Sequence, residues 1–194
     1  MTAEPARTRI LIAEDETIIR LDLRALLEAN GFDVCGEASD GVEAVALAAS
    51  LEPDLIMMDV KMPRLDGIEA ARKILEHRAV PIVMLTAFGH EDLVARAVDA
   101  GVFGYLSKPF REQDVVPALV AAQARHAEFA EVKLQALSLY EALEARKAIE
   151  RAKGILMAKE GITEEEAFSR LRRASQNSGR PMKVIADAVA ATLG

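Results

Sequence analysis

The sequence predicts an α/β domain built on a five-stranded, doubly wound parallel sheet, followed by a long helix and a three-helix all-α tail. Three observations predict it. Five short apolar runs begin at residues 9, 32, 54, 81 and 102, and each gap leaves room for one helix. The gaps carry helical patterns, so successive strands are expected to run parallel with helices over both faces. Beyond Phe110 the punctuation stops: no glycine lies between Gly104 and Gly154, and no proline between Pro117 and Pro181. That texture belongs to long helix.

The expected strands are Arg9–Ala13, Phe32–Glu37, Asp54–Met58, Pro81–Leu85 and Val102–Leu106. Ile19, Leu23, Leu26 and Leu27 line one face of the first helix, which Asn30-Gly31 closes. The long helix should start near Glu112 with Pro117 near its first turn, where a missing N–H is tolerated. Over 112–142 it reads as a coiled-coil-like linker. Ala118, Ala122, Phe129, Val132, Ala136, Leu139 and Leu143 recur at alternating spacings of three and four, with Arg125 filling one place. Such a seam packs on its own domain or pairs with a second copy, and the paired form is favoured. The first tail helix continues through Ile149, Ile155, Leu156 and Met157 to Gly161. Thr163-Glu164-Glu165-Glu166 reads as a capping box that opens the second, with three carboxylates at the positive helix end. The third follows Ser178-Gly179-Arg180-Pro181 and places Ile185 and Val189 on one face. Phe168 and Tyr140 stand at core spacing.

Composition bounds the function classes. A chain that is 51% hydrophobic and 28% charged can bury a core and is not a disordered tail. The single cysteine, Cys35, excludes a disulfide framework and a multi-cysteine metal site. Met1 to Arg9 holds no apolar signal-peptide core, and no run approaches the length of a membrane span, so a cytoplasmic protein is expected. The net charge of −7 is unevenly spread. Residues 1–124 hold 12 Lys/Arg against 21 Asp/Glu, whereas residues 146–194 hold 10 against 6. The first region suits a cation site; the basic tail permits a polyanionic partner.

In a doubly wound sheet, ligands bind outside the carboxyl ends of the strands. Glu14-Asp15-Glu16 follows the first expected strand, Asp59 the third, Thr86 the fourth and Lys108-Pro109 the fifth. Carboxylates, a hydroxyl and an ammonium therefore meet at one rim. Clustered acids repel unless a cation sits among them, and hard oxygen ligands select Mg²⁺. The set fits phosphoryl transfer to a carboxylate, with Asp59 as nucleophile. Lys108 offers a point charge and Thr86 a hydroxyl donor to the phosphoryl oxygens. Asp66-Gly67 reads as turn chemistry, and His77, His90 and His126 show no metal spacing and are expected at the surface.

These residues carry a resemblance. Ile10-Leu11-Ile12-Ala13-Glu14-Asp15-Glu16, Met58-Asp59-Val60-Lys61-Met62-Pro63-Arg64-Leu65-Asp66-Gly67, Leu85-Thr86-Ala87 and Tyr105-Leu106-Ser107-Lys108-Pro109-Phe110 resemble the receiver domains of two-component response regulators. The resemblance covers about 1–124 and implies a flavodoxin-like fold. It implies Asp59 as phosphoacceptor for a sensor histidine kinase, and Mg²⁺ held by Glu14, Asp15, Asp59 and the Lys61 carbonyl. It further implies Thr86 and Tyr105 as switch residues and a cis peptide before Pro109. No enzyme activity is implied beyond Mg-dependent self-phosphorylation and autodephosphorylation at Asp59. Glu14 stands where receivers often carry Asp, and reaches about one methylene further.

The tail, about 137–194, resembles the ANTAR domain, a three-helix RNA-binding output module of transcription antitermination regulators. The matching runs are Leu143 to Met157, including Ala152-Lys153-Gly154-Ile155-Leu156-Met157, then Gly161 to Phe168, Leu171 to Ser175, and Val184 to Val189. Arg151 stands where many relatives carry Gln. The charges alone do not separate RNA from DNA, because Lys and Arg on short helices contact phosphates of either. With the resemblance, Arg146, Lys153, Arg172, Arg173 and Lys183 become candidate contacts to RNA stem-loops. Gly154 inside a helix costs about 1 kcal/mol against Ala, which a close approach to a neighbour or to RNA would explain. The expected protein is a phosphorylation-gated antiterminator that forms a homodimer on phosphorylation. The alternatives are a DNA-binding regulator or a protein-interaction regulator whose tail only dimerises. Against DNA, the last helix carries Lys183 as its single base.

Overall fold

The computed structural model describes residues 7–87 and 100–193. The chain divides into two compact units, 1–129 and 130–194. In the first, β1 (Arg9–Ala13), α1 (Thr17–Ala29), β2 (Asp33–Ala38), α2 (Gly41–Leu51), β3 (Leu55–Asp59), α3 (Gly67–His77), β4 (Ile82–Ala87) and β5 (Gly104–Lys108) follow in order. The strands form one parallel sheet in the order β2-β1-β3-β4-β5. The helix expected between β4 and β5, and His90 with it, lies outside the described residues.

Both faces of the sheet are buried, and the strands' alternation assigns the residues to each. Leu11, Ile56, Met58, Ile82 and Met84 point to one side, against Ala44 and Ala48 of α2 and Ile68, Ala71 and Ile74 of α3. Ile10, Ile12, Leu55, Met57, Val83 and Leu85 point to the other. There they meet Leu23 and Leu27 of α1, with Val115, Leu119 and Ala122 of α4, the helix Glu112–Glu160. The strand order reverses between β1 and β3, and a ligand crevice is expected outside the carboxyl ends of the strands at that junction.

Four strands end one or two residues later than their apolar runs. Asp59 pairs with Leu85, Thr86 with Ser107, and Lys108 with Ala87, so these polar residues are the last rungs of the sheet and not residues beyond it. An apolar run reports side-chain burial, whereas a strand ends where the backbone ladder ends.

Helix α4 starts at Glu112, where it was expected, and runs through 49 residues with Pro117 in its second turn. The seam divides along its length. Ala118 and Ala122 pack into the core of the first unit, but Phe129, Val132, Leu139 and Leu143 are exposed, Leu139 by 73%. His126 is not a free surface residue. Its ring meets Phe103 edge-on at 4.9 Å, and burial pushes its pKa down.

The second unit adds α5 (Glu164–Ser178) and α6 (Met182–Leu193) to the end of α4. Its core is small and aliphatic: Ala152 and Leu156 of α4, Ala167 and Leu171 of α5, and Ala186 of α6. The capping box is present. Thr163 Oγ1 accepts from the Glu166 amide, and Glu166 Oε2 accepts from the Thr163 amide at 2.9 Å. Gly179, at φ +65°, closes α5 in the left-handed conformation that glycine adopts without strain. Phe168 and Tyr140 do not join this core; they are 42% and 63% exposed. Periodicity placed them on an apolar stripe, but alanines let the helices close without them.

Candidate functional site

Four strand ends assemble the rim. Glu14 leaves β1 fully buried, Asp59 ends β3 and Thr86 lies near the end of β4, both also buried. Asp15, next to Glu14, is exposed. The ligand oxygens of Glu14, Asp15 and Asp59 lie within 4.8 Å of one another. Lys108, the last residue of β5, reaches across β4: its Nζ stands 2.6 Å from Glu14 Oε2 and 3.2 Å from Asp59 Oδ2. Lys108-Pro109 is a cis peptide. Tyr105, on the edge strand, is 59% exposed, and Lys61 is exposed in the loop after β3.

Burial pushes the carboxyls of both Glu14 and Asp59 upward, and Lys108 only partly offsets this. Burial would lower the Lys108 pKa, but the two carboxylates outweigh it and raise the value. One ammonium thus faces three carboxylates in a partly desolvated site. An oxygen cluster that one ammonium only partly neutralises fits a small hard cation.

Arg20 supports this site, and nothing marked it beforehand except its being a base in the first helix. Its guanidinium donates to the Glu14 carbonyl at 2.5 Å and pairs with Glu37 at 3.4 Å. Asp66 caps α3 by accepting from the Glu69 amide, in keeping with its turn chemistry.

The candidate tail residues separate into two kinds. Arg146, Arg172, Arg173 and Lys183 are exposed and, among the described residues, form no ion pair. Lys147 and, more weakly, Lys183 lower the pKa of Glu144, so the start of α6 shares an electrostatic neighbourhood with this stretch of α4. Lys153 departs from the expectation. Its side chain is 9% exposed and held by Glu164 at 2.6 Å and Glu150 at 2.9 Å, which raise its pKa. It ties α4 to the start of α5, and carboxylates engage two of its three N–H groups. A β-carbon at Gly154 would meet nothing within 4 Å, so no neighbour in the chain requires glycine there.

Among the described residues no helix is long and apolar enough to cross a membrane. Residues 10–120 match the response regulator receiver domain and residues 138–189 the ANTAR domain. The transcriptional regulatory protein PdtaR of Mycobacterium tuberculosis is 50% identical over 186 residues, covering 96% of this chain and 91% of that protein. The chemotaxis protein CheY of Halobacterium salinarum is 42% identical over 112 residues, 57% of this chain and 92% of that one. The signal receiver domain of a modulated diguanylate cyclase from Desulfovibrio desulfuricans superposes with a TM-score of 0.59 at 31% identity, covering 63% of this chain and 98% of that one. The chain therefore belongs to the response regulators, with a receiver domain followed by an ANTAR domain.

Proposed function

We propose that this response regulator accepts a phosphoryl group on Asp59 from a sensor histidine kinase, and that its tail then binds RNA stem-loops to cause transcription antitermination. The observation that carries the receiver half is the Lys108 bridge between Glu14 and Asp59. An Asp59 carboxylate oxygen attacks the phosphorus of phosphohistidine; the P–N bond breaks, the P–O bond forms, and the imidazole leaves. Glu14, Asp15, Asp59 and the Lys61 carbonyl would hold Mg²⁺, which when bound supplies neutralising charge to the phosphoryl oxygens. Self-phosphorylation by small donors and autodephosphorylation belong to the same site. Lys108 leaves its carboxylate partners for a phosphoryl oxygen, Thr86 donates its hydroxyl to another, and Tyr105 and the Lys108-Pro109 segment respond on the adjoining strand.

In the tail, the unpaired bases Arg146, Arg172, Arg173 and Lys183 are the RNA-phosphate contacts, and Lys153 holds the helices that present them. The exposed seam from Phe129 to Leu143 pairs two phosphorylated copies. That same seam favours a second reading, in which the tail only dimerises. Labelling with acetyl phosphate and Mg²⁺ tests the receiver half: Asp59→Asn should abolish acid-labile label while the protein stays folded. Filter binding of stem-loop RNA against duplex DNA tests the tail. Equal retention of both, or of neither, would refute RNA as its ligand.

A further inference from the structure

The loop after β3 is held at two points that the phosphoryl chemistry does not use. At its far end Gly67 lies on the backbone of Asp59 itself: a β-carbon there would overlap the Asp59 carbonyl oxygen. The Gly67 amide donates to the Val60 carbonyl at 2.9 Å. In its middle the loop rests on the start of α2, where a β-carbon at Gly41 would overlap the Leu65 carbonyl. Beside that point Asp40 divides its carboxylate between two tasks. One oxygen caps α2, accepting from the Val42 and Glu43 amides at 2.9 and 3.0 Å. The other takes the Arg64 guanidinium. Asp40 is 3% exposed, so this charge needs its partner. Arg64 sits at φ +66°, a conformation that L-residues other than Asn and Asp rarely adopt. A strained backbone is retained where surrounding contacts over-determine it.

We propose that Arg64 and Asp40 form a latch that positions the 60–66 loop for cation binding. The latch couples the turn before α2 to the loop that carries Lys61, and Arg64 and Asp40 are positioning residues that touch no substrate. The inference rests on the proposed Mg²⁺ site, because the Lys61 carbonyl is the part of that site the loop carries. With the latch broken, the left-handed Arg64 backbone relaxes, Lys61 moves, and the site must reorder its loop each time a cation enters.

The test uses the full chain and Mn²⁺ as probe, with bound metal counted by electron paramagnetic resonance in the absence of phosphodonor. Asp40→Asn keeps the helix cap, since Asn caps as well as Asp, but loses the ion pair. Arg64→Gly also loses it while glycine takes the positive φ without strain. Because it leaves the Asp40 carboxylate without its cation, thermal unfolding is followed beside binding. Asp40→Asn, which leaves no such charge, carries the test if Arg64→Gly unfolds. Each should weaken Mn²⁺ binding by about fivefold, the range of a partly exposed ion pair. The double variant should be no weaker than either single one, because both remove the same ion pair. Arg64→Lys, which keeps the charge, should recover part of the loss. Wild-type affinity in both single variants, or additive losses in the double, overturns the latch. A wild type that binds Mn²⁺ no better than Asp59→Asn overturns the cation site itself, and the latch with it.

Discussion

The receiver rim and the tail use charge in opposite ways. At the rim, ionisable groups are buried at the ends of strands and neutralise one another incompletely: Lys108 between Glu14 and Asp59, with Asp15 beside them. In the tail, Arg146, Arg172, Arg173 and Lys183 stand in solvent on helices whose core is alanine and leucine. Buried charges interact strongly and at fixed distances, so their chemistry can be read from geometry. Exposed charges are screened and mobile, and what they bind depends on a partner. The tail's one buried ammonium, Lys153, obeys the rim's rule: buried, it is paired by carboxylates.

The sharpest way to break this comparison is Lys108→Ala. Removing the ammonium leaves two buried carboxylates facing each other, which should cost on the order of 3 kcal/mol of receiver stability in metal-free buffer. Added Mg²⁺ should restore most of it, as followed by thermal unfolding with and without the cation. The same variant should lose phosphorylation-dependent dimerisation more than acetyl phosphate labelling. Equal losses in pulse labelling and dimerisation would deny Lys108 a separate signalling role.

A smaller effect is expected from reversing Arg172 and Arg173 to Glu. Receiver labelling should be untouched, RNA affinity should fall for all sequences alike, and the salt dependence should flatten by roughly one unit for each phosphate no longer neutralised. A salt series of RNA binding checks this. An unchanged slope would make the basic face solvated surface and raise the dimerisation reading.

Thr163→Ala should cost about 1 kcal/mol through the missing cap, observed as earlier melting of tail resonances while receiver resonances hold. Smallest is an acid effect. Glu164 and Glu166 titrate below the ordinary 4.5, held down by Lys153 and by the Thr163 amide respectively. Their stabilisation is present above that value and is lost as pH falls through the lower folded pKa values. Glu164→Gln should therefore flatten the decline in tail stability below pH 4.5, read by nuclear magnetic resonance of the full chain.

Periodicity made the two regions unequally legible. The five strands, the long helix and the capping box at Thr163 to Glu166 follow local rules of alternation, punctuation and side-chain reach, and each stands near where those rules put it. The seam followed the rule of spacing yet split, because Ala118 and Ala122 found a core of their own whereas Leu139 did not. Phe168 and Tyr140 matched a core pattern and are exposed, and His126 matched none and packs on Phe103.

What the sequence determined by itself is therefore the fold class and the identity of the rim residues, since a two-residue period and a parallel sheet leave strand ends only one edge on which to meet. Tertiary structure decided which charges are already spoken for. Lys153 and Glu164 are eleven residues apart on different helices, and Asp40 and Arg64 are twenty-four apart on different connections. No local pattern encodes such pairs. They form because packing of apolar faces elsewhere brings the charges together, and burial then requires each to keep its partner.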